Sequence, residues 1–420
     1  MILDFAALRL DGVYRMNDQD DLMQRIKLAG GAFSAEQAEA IAELADRYAG
    51  DRLHATSRGS FELHRVRPEH LAPIKAALTA AGLTSRGACG GAVRGVCCAT
   101  SLHPDADNAL RLATTLQQYF TSNPAFEGLP KKFKIGVDAG YAGGRYLIQD
   151  AGLVAVEGGW DVWVGGGLGR EPQPALPLTR ALPEAQLRPL LEAVIAVYRQ
   201  HAPAGKRLKH VINSLGADAF RRQLQQRLPA LPLGEPPVVR HDTEPAAAPS
   251  APVVFPFFAG ELTSADLRRL ATLARHHAAG QLRVTADQDL ALPPTDAAAR
   301  QTLRQAADAS PAPQLFRICP GSHDCRMGLS PTRELARQLL AALGPATHGL
   351  SLAISGCPNS CSQPQLADFG ISTSRLLRQD DGAREPRFTL YRRSGDGLGE
   401  AIATDATFDK VQSTLVELTK

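Results

Sequence analysis

The chain has 420 residues, of which 44% are hydrophobic and 21% are charged, and its formal net charge at pH 7 is +3. This near balance of charge gives no reason to expect a nucleic-acid or membrane partner, and no apolar run reaches the roughly 18 residues of a membrane span. The composition therefore predicts a soluble, cytoplasmic protein of about two to four globular domains. The first residues carry an acid, Asp4, and no basic segment, so we expect no signal peptide there.

The first predicted elements are a helix and a strand, and the same pattern returns 229 residues later. The segments Gly31–Leu63 and Gly260–Leu292 align without a gap. Each copy opens on a helix-capping residue, Ser34 or Thr263, and continues with apolar positions at helical spacing and an alternating strand pattern. Chance similarity between two Ala- and Leu-rich helices is the alternative, but it does not explain a match that continues through the strand. We therefore interpret the two segments as an internal duplication.

Between the copies lies a segment rich in proline and alanine, 229–256, which predicts an extended linker. Further helices are predicted at about 184–198 and 408–418. The duplication predicts a pseudo-twofold molecule in which both copies pair into one domain and each half adds a larger α/β domain, with any active site between them. The predicted boundaries are 1–77 and 257–312 for the two half-domains, and 78–228 and 313–420 for the two larger domains.

The seven cysteines fall into two groups, one of which is Cys89, Cys97 and Cys98 and the other Cys319, Cys325, Cys357 and Cys361. An odd number argues against a disulfide framework and favours metal binding. In the second group, the paired cysteines are separated by five residues and then by three, in loops that contain Gly and Pro. Two thiolate pairs suit a structural zinc ion or a [4Fe–4S] cluster, and the wide first pair favours the cluster. Inert buried thiols are the remaining alternative.

Basic side chains stand out in the first half of the chain. Lys132 and Lys134 are two residues apart in a predicted strand, so both ammonium groups lie on one face. Arg58 is predicted to lie in the strand 53–63, and its counterpart in the second copy is Asp287, so this cation belongs to one half only. A bound anion explains the lysine pair. A solvated strand edge and, for Arg58, a surface ion pair are the alternatives.

Together these motifs resemble the sirohaem-dependent sulfite and nitrite reductase haemoproteins. The second cysteine pair has the form typical of that family, Gly356-Cys-Pro-Asn-Ser-Cys361. The other motifs of the family follow in the same order, at 23–31, 56–58, 86–94, 129–134, 164–169 and 206–209. The resemblance implies an internally duplicated α+β fold whose ferredoxin-like domain is made from both repeat copies. It further implies a sirohaem- and anion-binding α/β domain at 78–228 and a [4Fe–4S]- and sirohaem-binding α/β domain at 313–420.

The resemblance also implies roles for individual residues. The cluster would be held by Cys319, Cys325, Cys357 and Cys361. Cys361 would in addition be the axial ligand of the sirohaem iron. The substrate-binding cage would be formed by Arg58, Arg94, Lys132 and Lys134. Contacts to the sirohaem would come from Gly165, Gly166, Gly167 and Arg86. Nitrite-preferring members of the family tend to have a neutral amide at the position of Lys134, which favours sulfite here.

The implied activity is the six-electron reduction of a small oxyanion, sulfite to sulfide, with nitrite to ammonia as the alternative. No flavin- or NAD(P)H-binding motif is recognisable in the sequence, and the glycines at 165–169 lack the spacing of a dinucleotide fingerprint. We therefore expect an external electron donor, either a ferredoxin or a flavoprotein subunit. A precorrin-3B synthase-like oxygenase and a non-catalytic electron-transfer protein remain as further alternatives. Cys97 and Cys98 are expected to serve packing rather than redox chemistry.

Overall fold

The computed structural model describes residues 4–16, 21–103, 106–121, 123–231, 233–239, 251–308, 315–347, 349–380 and 382–419. The first repeat copy and its flanks contain α1 (Phe5–Leu10), β1 (Val13–Arg15), β2 (Leu22–Lys27), β3 (Ala32–Ser34), α2 (Ala35–Tyr48), β4 (Leu53–Ala55), β5 (Ser60–Val66) and α3 (Leu71–Ala80). The larger unit that follows contains α4 (Ala106–Phe120), β6 (Ile135–Asp138), β7 (Ala151–Val156), β8 (Gly159–Val164), β9 (Leu176–Leu182), α5 (Glu184–His201), α6 (Leu208–Leu215) and α7 (Ala217–Arg227).

The second half of the chain repeats this order. Its copy of the repeat contains β10 (Val253–Phe255), β11 (Glu261–Leu262), α8 (Ser264–His277), β12 (Gln281–Val284), β13 (Leu290–Leu292) and α9 (Ala297–Asp308). The last unit contains β14 (Phe316–Ile318), α10 (Gly321–Asp324), α11 (Thr332–Leu343), β15 (Leu352–Ser355), β16 (Phe369–Arg378), β17 (Arg384–Arg392), β18 (Glu400–Ala406) and α12 (Phe408–Leu418).

The structure confirms the duplication at the level of single hydrogen bonds. α2 and α8 begin and end at equivalent positions of the two copies, and both open with a capping box. In one copy Ser34 and Gln37 bond each other's backbone N–H groups, and in the other Thr263 and Asp266 do the same. Such reciprocal bonds satisfy N–H groups that a helix start would otherwise leave without partners.

The two copies form one domain because they exchange strands. One sheet has the order β1-β2-β5-β4-β11 and the other β10-β13-β12-β3. β3 from the first copy therefore pairs with β12 of the second, with Phe33 opposite Leu282, and β11 from the second pairs with β4 of the first. A single apolar core, to which both copies contribute, lies between these sheets and helices.

Each larger unit has a mixed sheet with its own apolar core. The order is β6-β7-β8-β9 in one unit and β14-β15-β16-β17-β18 in the other. In the first sheet β6 and β7 are parallel, and in the second β14, β15 and β16 are parallel. The remaining strands of each sheet are antiparallel to their neighbours. The helices α4 to α7 cover the first sheet, and α11 and α12 cover the second. Across the described residues, no helix has both the length and the apolar character needed to cross a bilayer.

Two predicted boundaries need correction. The boundary at residue 77 falls inside α3, whose Ile74 and Leu78 are buried in the core of the repeat domain, so the half-domain continues to the end of this helix. The second half-domain begins before residue 257, because β10 pairs with β13 in its sheet. The linker is correspondingly shorter than 229–256.

The first part of that segment packs on the body of the protein. Leu231 is buried, the N–H of Arg180 donates to the carbonyl of Glu235 at 2.9 Å, and the N–H of Gly234 donates to the Thr179 hydroxyl at 3.0 Å. Proline-rich sequence therefore predicted an extended chain but could not indicate that its start lies against β9. The centre of the predicted linker, 240–250, lies outside the described residues.

The predicted strand 53–63 is also corrected. It is a hairpin of two strands, β4 and β5, and Arg58 lies in the turn that joins them. Gly59 has a φ of +64°, and a Cβ there would lie 2.9 Å from the Cα of Gly31, so the turn needs glycine at this position. Lys132 and Lys134 lie just before β6, and the apolar residues Phe133 and Ile135 are buried between and after them, as alternation predicts.

Candidate active site

Two loops carry the four cysteines of the second group to one edge of the second mixed sheet. Cys319 follows β14 and Cys357 follows β15, and these strands are parallel neighbours, so their carboxyl ends meet. α10 and the turn that follows the second strand bring in Cys325 and Cys361. The backbone N–H of Gly356 donates to the sulfur of Cys319 at 3.1 Å. Hydrogen bonds of this kind stabilise negative charge on a ligating sulfur.

The electrostatics of these thiols fit a metal-bound group. Burial, and then the nearby Cys361, raise the pKa of Cys319, of Cys357 and, to about 12, of Cys325. Cys361 therefore interacts with each of the other three sulfurs, which groups all four around it. Thiols with such raised pKa values ionise at neutral pH only when positive charge compensates them, and coordinated iron supplies that charge.

The spacing of the sulfurs disfavours the zinc alternative. A tetrahedral zinc ion with Zn–S bonds of about 2.3 Å holds its sulfurs about 3.8 Å apart. Within the described residues, the one set of three or more potential ligand atoms lying within 4.8 Å of one another is His54, Glu62 and His64. The cysteine sulfurs are thus spread more widely than one zinc ion requires, which suits a larger cluster.

The set formed by His54, Glu62 and His64 is an ion-pair network rather than a second metal centre. One carboxylate oxygen of Glu62 accepts a hydrogen bond from Nε of Arg25 at 3.1 Å, and the other lies 3.2 Å from a ring nitrogen of each histidine. Burial opposes the ionisation of Glu62, but Arg25, together with the hydrogen bond from His54, lowers its pKa well below the usual range. A guanidinium on the same carboxylate repels a metal cation.

The structure brings the four predicted cage residues together. Burial, and then Arg58 and Lys132, lower the pKa of Lys134 well below its usual value. Burial, and then Arg207, lower the pKa of Lys132 to about 8, while Cys361 acts in the opposite direction. Arg94 is buried and also interacts with Arg58. The cations therefore form one cluster, and within it Lys132 also interacts with Cys361.

Backbone pairing fixes this cluster. Phe133 forms a parallel bridge with Val93, and the N–H of Arg94 donates to the carbonyl of Phe133 at 2.8 Å. The N–H of Lys134 donates to a carboxylate oxygen of Asp150 at 2.8 Å. Arg94 and the two lysines therefore lie on adjacent parallel segments, and their spacing is set by the backbone.

The turn that carries Arg58 connects the cations to the cysteine loop. Its guanidinium donates to Oε1 of Gln149 and to the carbonyl of Gly95, both at 3.0 Å. The hydroxyl of the preceding residue, Ser57, donates to the carbonyl of Cys361 at 2.8 Å. Cys361 itself is exposed, whereas Cys319 and Cys357 are buried. One turn thus contacts both the cage and the loop of the proposed shared ligand.

Two further cations in this region were missed as site candidates. Lys27 donates to the carbonyl of Arg86, and burial, and then Arg94, lower its pKa to about 7. Arg207 donates to Asp150 at 2.7 Å and to the carbonyl of Gly166 at 3.0 Å. Both residues belong to motifs that the sequence analysis singled out, at 23–31 and 206–209. Nothing local in the sequence indicated that these side chains are buried beside the cage.

Gly165, Gly166 and Gly167 are confined by the protein itself. A Cβ on each would collide with the side chain of Ile212, with the carbonyl of Leu147 and with the guanidinium of Arg207, respectively. Packing therefore requires glycine most clearly at Gly166, where the obstacle is backbone rather than the end of a side chain. Contact of this segment with the macrocycle stays a prediction.

The guanidinium of Arg86 pairs with acidic side chains rather than with the cage. Its guanidinium donates to Glu127 at 2.7 Å and to Asp11 at 3.1 Å, and 39% of its side chain is exposed. The structure therefore does not bring its charge into the cage, and a role for it in binding the cofactor stays a prediction.

The first group of cysteines is buried. The Cys97 thiol lies 3.6 Å from the carbonyl of Ile135, and the sulfur of Cys98 lies 3.8 Å from the hydroxyl of Thr100. Burial raises the pKa of Cys98 far above its usual value, so this thiol is neutral and unreactive. These contacts support the packing role expected for the pair.

Comparison with protein families gives the same result as the geometry. The family described as "Nitrite/Sulfite reductase ferredoxin-like half domain" matches residues 14–81 and 253–310, which are the two repeat copies. The family described as "Nitrite and sulphite reductase 4Fe-4S domain" matches residues 93–231. The chain belongs to the nitrite and sulfite reductase family. The matches confirm the predicted α+β fold and the two predicted cofactors, sirohaem and a [4Fe–4S] cluster, and they make the protein an oxidoreductase.

Individual relatives are similar over most of their length. Sulfite reductase [ferredoxin] 1 of Mycolicibacterium paratuberculosis is 26% identical, over 93% of this chain and 77% of the relative. Ferredoxin–nitrite reductase of Synechococcus elongatus is 27% identical, over 94% and 85%. The sulfite reductase [NADPH] hemoprotein beta-component of Acidithiobacillus ferrooxidans is 26% identical, over 88% and 79%. The solved structure of Mycobacterium tuberculosis NirA has the same fold, with a TM-score of 0.83, 22% identity, and coverage of 97% of this chain and 85% of that one.

Proposed function

We propose that this member of the family reduces sulfite to sulfide with six electrons. The observation that carries the proposal is the cluster of Arg58, Arg94, Lys132 and Lys134, of which Arg94 is buried and the others are partly buried, near Cys361. Four cations without a matching number of buried acids favour a multiply charged anion. Near neutrality sulfite is partly a dianion with three oxygens, whereas nitrite is a monoanion with two.

The cysteines and the cations divide the chemistry between them. We propose that Cys319, Cys325, Cys357 and Cys361 hold the cluster and that Cys361 also ligates the sirohaem iron. When bound, these groups would pass the electrons of the external donor to the substrate and would supply the redox-active iron. The protein side chains neutralise the oxyanion, and the fixed backbone at Arg94 and Lys134 holds them in place without reorganisation.

Proton delivery is the second task of the cage. Reduction of sulfite to hydrosulfide and three waters consumes protons at each oxygen that leaves. A lysine whose pKa is near 8, as at Lys132, is a stronger acid than an ordinary lysine and regains its proton readily near neutral pH. We propose Lys132 and Lys134 as the donors, with Arg58 and Arg94 as permanent charges.

The electron donor is external in this proposal. The similar proteins named above include two that are ferredoxin enzymes and one that is named as the hemoprotein component of an NADPH enzyme. A ferredoxin or a flavoprotein subunit is therefore the proposed partner, and the seven free cysteines suit the reducing conditions of the cytoplasm. Nitrite is the second candidate substrate, because a ferredoxin–nitrite reductase is as similar to the chain as the sulfite reductases are.

The test of substrate preference replaces one cation. Lys134→Asn removes one charge-assisted contact, and such contacts contribute about 1.5–3 kcal/mol, so kcat/KM for sulfite should fall about tenfold to a hundredfold. Turnover of nitrite, which needs less positive charge, should change much less. The measurement is steady-state kinetics of both proteins on both anions with a reduced viologen dye as donor.

A matched control lies three residues away. Lys131 is exposed, so Lys131→Asn makes the same chemical change outside the cage and should leave both activities unchanged. Equal losses on the two anions in Lys134→Asn, or a wild-type protein that reduces nitrite far faster than sulfite, would overturn the preference for sulfite.

The shared-ligand assignment has its own test. Cys361→Ser should remove the cluster and the coupled sirohaem spectrum together, because one sulfur serves both groups. Visible spectra of anaerobically purified protein, with iron and labile-sulfide assays, measure this directly, and Cys98→Ser is the control for a buried thiol outside the site. A normal haem spectrum in Cys361→Ser would refute the assignment. In the wild-type protein, a cluster without haem would favour the oxygenase or the electron carrier.

A further inference from the structure

The second repeat copy contains a turn equivalent to the one that carries Arg58, but with the opposite charge. Thr56 and Thr285 occupy the same position, and the hydroxyl of each accepts hydrogen bonds from the backbone two and four residues further on. Arg58 in the first turn corresponds to Asp287 in the second. The two turns therefore have the same hydrogen-bonded shape, but one carries a cation and the other a carboxylate at the equivalent position.

Asp287 is held by two buried arginines. Its Oδ1 accepts hydrogen bonds from Nη2 of Arg145 at 2.6 Å and from Nη1 of Arg317 at 2.9 Å. Burial opposes ionisation of Asp287, but the two guanidinium groups outweigh this effect and lower its pKa to about 2. One carboxylate therefore joins Arg145, which precedes β7 in the first large unit, to Arg317 on β14 of the second.

Both arginines continue from Asp287 to the loop that follows Cys361. Nε of Arg317 donates to the carbonyl of Ser362 at 2.9 Å, and its Nη2 donates to the carbonyl of Gln363 at 3.3 Å. Nε of Arg145 donates to the side-chain oxygen of Gln363 at 3.1 Å. The amide nitrogen of Gln363 in turn donates to the carbonyl of Ser57 at 3.2 Å. The loop is thus bonded from both halves of the molecule.

These bonds act on a backbone that needs support. Ser360 and Gln363, on either side of Cys361, have φ values of +55° and +58° although neither is glycine. Side chains with a Cβ avoid this region, so residues remain in it only where their surroundings hold them there. The direction in which the sulfur of Cys361 points depends on these two strained residues.

The same network reaches the cage. The backbone carbonyl of Arg145 accepts a hydrogen bond from Nε2 of Gln149 at 3.2 Å, and Oε1 of Gln149 accepts one from Arg58 at 3.0 Å. A continuous chain of hydrogen bonds therefore runs from Arg58 through Gln149 and Arg145 to its own pseudo-twofold counterpart, Asp287.

We propose that Asp287, with Arg145 and Arg317, is a positioning cluster that fixes the loop Ser360–Gln363 and thereby the orientation of the Cys361 sulfur relative to the substrate cage. This inference rests on the proposed role of Cys361. In this proposal, the turn of the second copy supports the loop of the iron ligand, whereas the equivalent turn of the first copy carries a cation of the substrate cage. None of the three residues is placed in contact with the substrate.

Two variants separate positioning from general stability. Asp287→Asn keeps the shape of the side chain and removes the charge that holds both arginines. Gln363→Leu removes the bonds from the loop side and changes no charge. Asp405→Asn is the control, because Asp405 of β18 forms an exposed ion pair with Arg375 of β16 and has no contact with the network described above. The measurements are electron paramagnetic resonance of the oxidised haem without substrate, kcat and KM for sulfite and nitrite, and the melting temperature.

A misplaced axial sulfur alters the haem signal and slows turnover, while the cage still binds the anion. Asp287→Asn and Gln363→Leu should therefore both change the haem resonance and lower kcat about tenfold, the effect of about 1.4 kcal/mol, with KM changed less than about twofold. The control, Asp405→Asn, should match the wild-type protein in haem resonance, kinetic constants and melting temperature. The haem readout without substrate does not depend on which oxyanion is preferred, and Cys361→Ser tests the ligand itself.

A normal haem resonance and normal kcat in both variants, with only a lower melting temperature, would overturn the proposal and leave the cluster a purely structural one. If Asp287→Asn loses its cofactors, the test of the proposal is Gln363→Leu. A Gln363→Leu protein that keeps its cofactors and a normal haem signal, although its loop bonds are lost, would exclude a positioning role.

Discussion

At the scale of single residues, Asp289 illustrates how burial changes a titrating group. Its Oδ1 accepts a hydrogen bond from the N–H of Phe257 at 2.9 Å, and burial raises its pKa from 3.8 to about 7. The folded protein therefore keeps a proton that the unfolded chain releases near pH 4. Because the folded state binds more protons in this interval, the free energy of unfolding falls as the pH rises from about 4 to about 7.

Asp289→Asn tests this pKa. Asn keeps an oxygen that accepts the bond from Phe257 but does not titrate. The variant should gain stability relative to the wild-type protein as the pH rises from about 5 to about 7, by at most about 1.4 kcal/mol per pH unit, and the difference should level off above that. Melting temperatures of both proteins over this range measure the difference. Asp405→Asn, which replaces an exposed carboxylate of lowered pKa, should give no such slope. A difference independent of pH would contradict the raised pKa.

Residue types and spacing indicated a metal-binding cysteine group and singled out Arg58, Lys132 and Lys134, and the resemblance to the reductase family added Arg94 and assigned all four cations to one site. They were not enough to find Arg207 or Gln149. The importance of those two side chains comes from the partners they meet, Asp150 and Arg58, which are distant in sequence. Such contacts arise only when the sheets assemble, so no local pattern encodes them.

At the scale of elements, periodicity predicted α12 at its observed bounds and most of α5, which continues to His201. The capping residues Ser34 and Thr263 marked the starts of α2 and α8 correctly because capping is a local interaction. The hairpin at Arg58 was missed because its apolar alternation continues from one strand into the next. Gly59 was the available signal, since a glycine inside a strand pattern indicates a turn or bulge.

The segment after β8 is the element whose packing can be tested most directly. A Cβ at Gly166 would collide with the carbonyl of Leu147 and lie 2.9 Å from the carbonyl of Gln149, and backbone atoms cannot move aside as a side chain can. Gly166→Ala should therefore lower stability by about 1–3 kcal/mol. It should also lower kcat/KM for the oxyanion, because Gln149, which holds Arg58, lies on the displaced segment.

Gly397→Ala is the matched control for this substitution. A Cβ there meets no atom of the described residues within 4 Å, and the backbone is not in the left-handed region. Melting temperatures and kinetics of the two variants give the comparison. Equal behaviour of Gly166→Ala and Gly397→Ala would show that the segment tolerates a side chain and that glycine is not required by the packing seen here.

At the scale of the whole molecule, the duplication was readable because it left an ungapped match of helix and strand. The exchange of β3 and β11 between the copies could not be predicted from the sequence, because edge strands of two or three residues have almost no periodic pattern. The same limit applies to the site. The sequence indicated that only the first copy carries a cation, Arg58, at this position. It could not indicate the chain of hydrogen bonds between Arg58 and Asp287, because that chain depends on how the two halves pack together.

The exchanged strands predict how the two halves behave when the chain is cut. β3 completes a sheet of the second half and β11 a sheet of the first. α2 and α8 are joined by ion pairs such as Arg275 with Glu39 at 3.0 Å over a common apolar core. A protease site introduced into 240–250 and then cleaved should therefore leave both fragments associated, with the haem spectrum retained, because separation would expose that core to water. Size-exclusion chromatography of the cleaved protein, with the uncut insertion variant as control, measures the association. Fragments that separate in native buffer would contradict the shared core, whereas fragments that separate only in denaturant would agree with it.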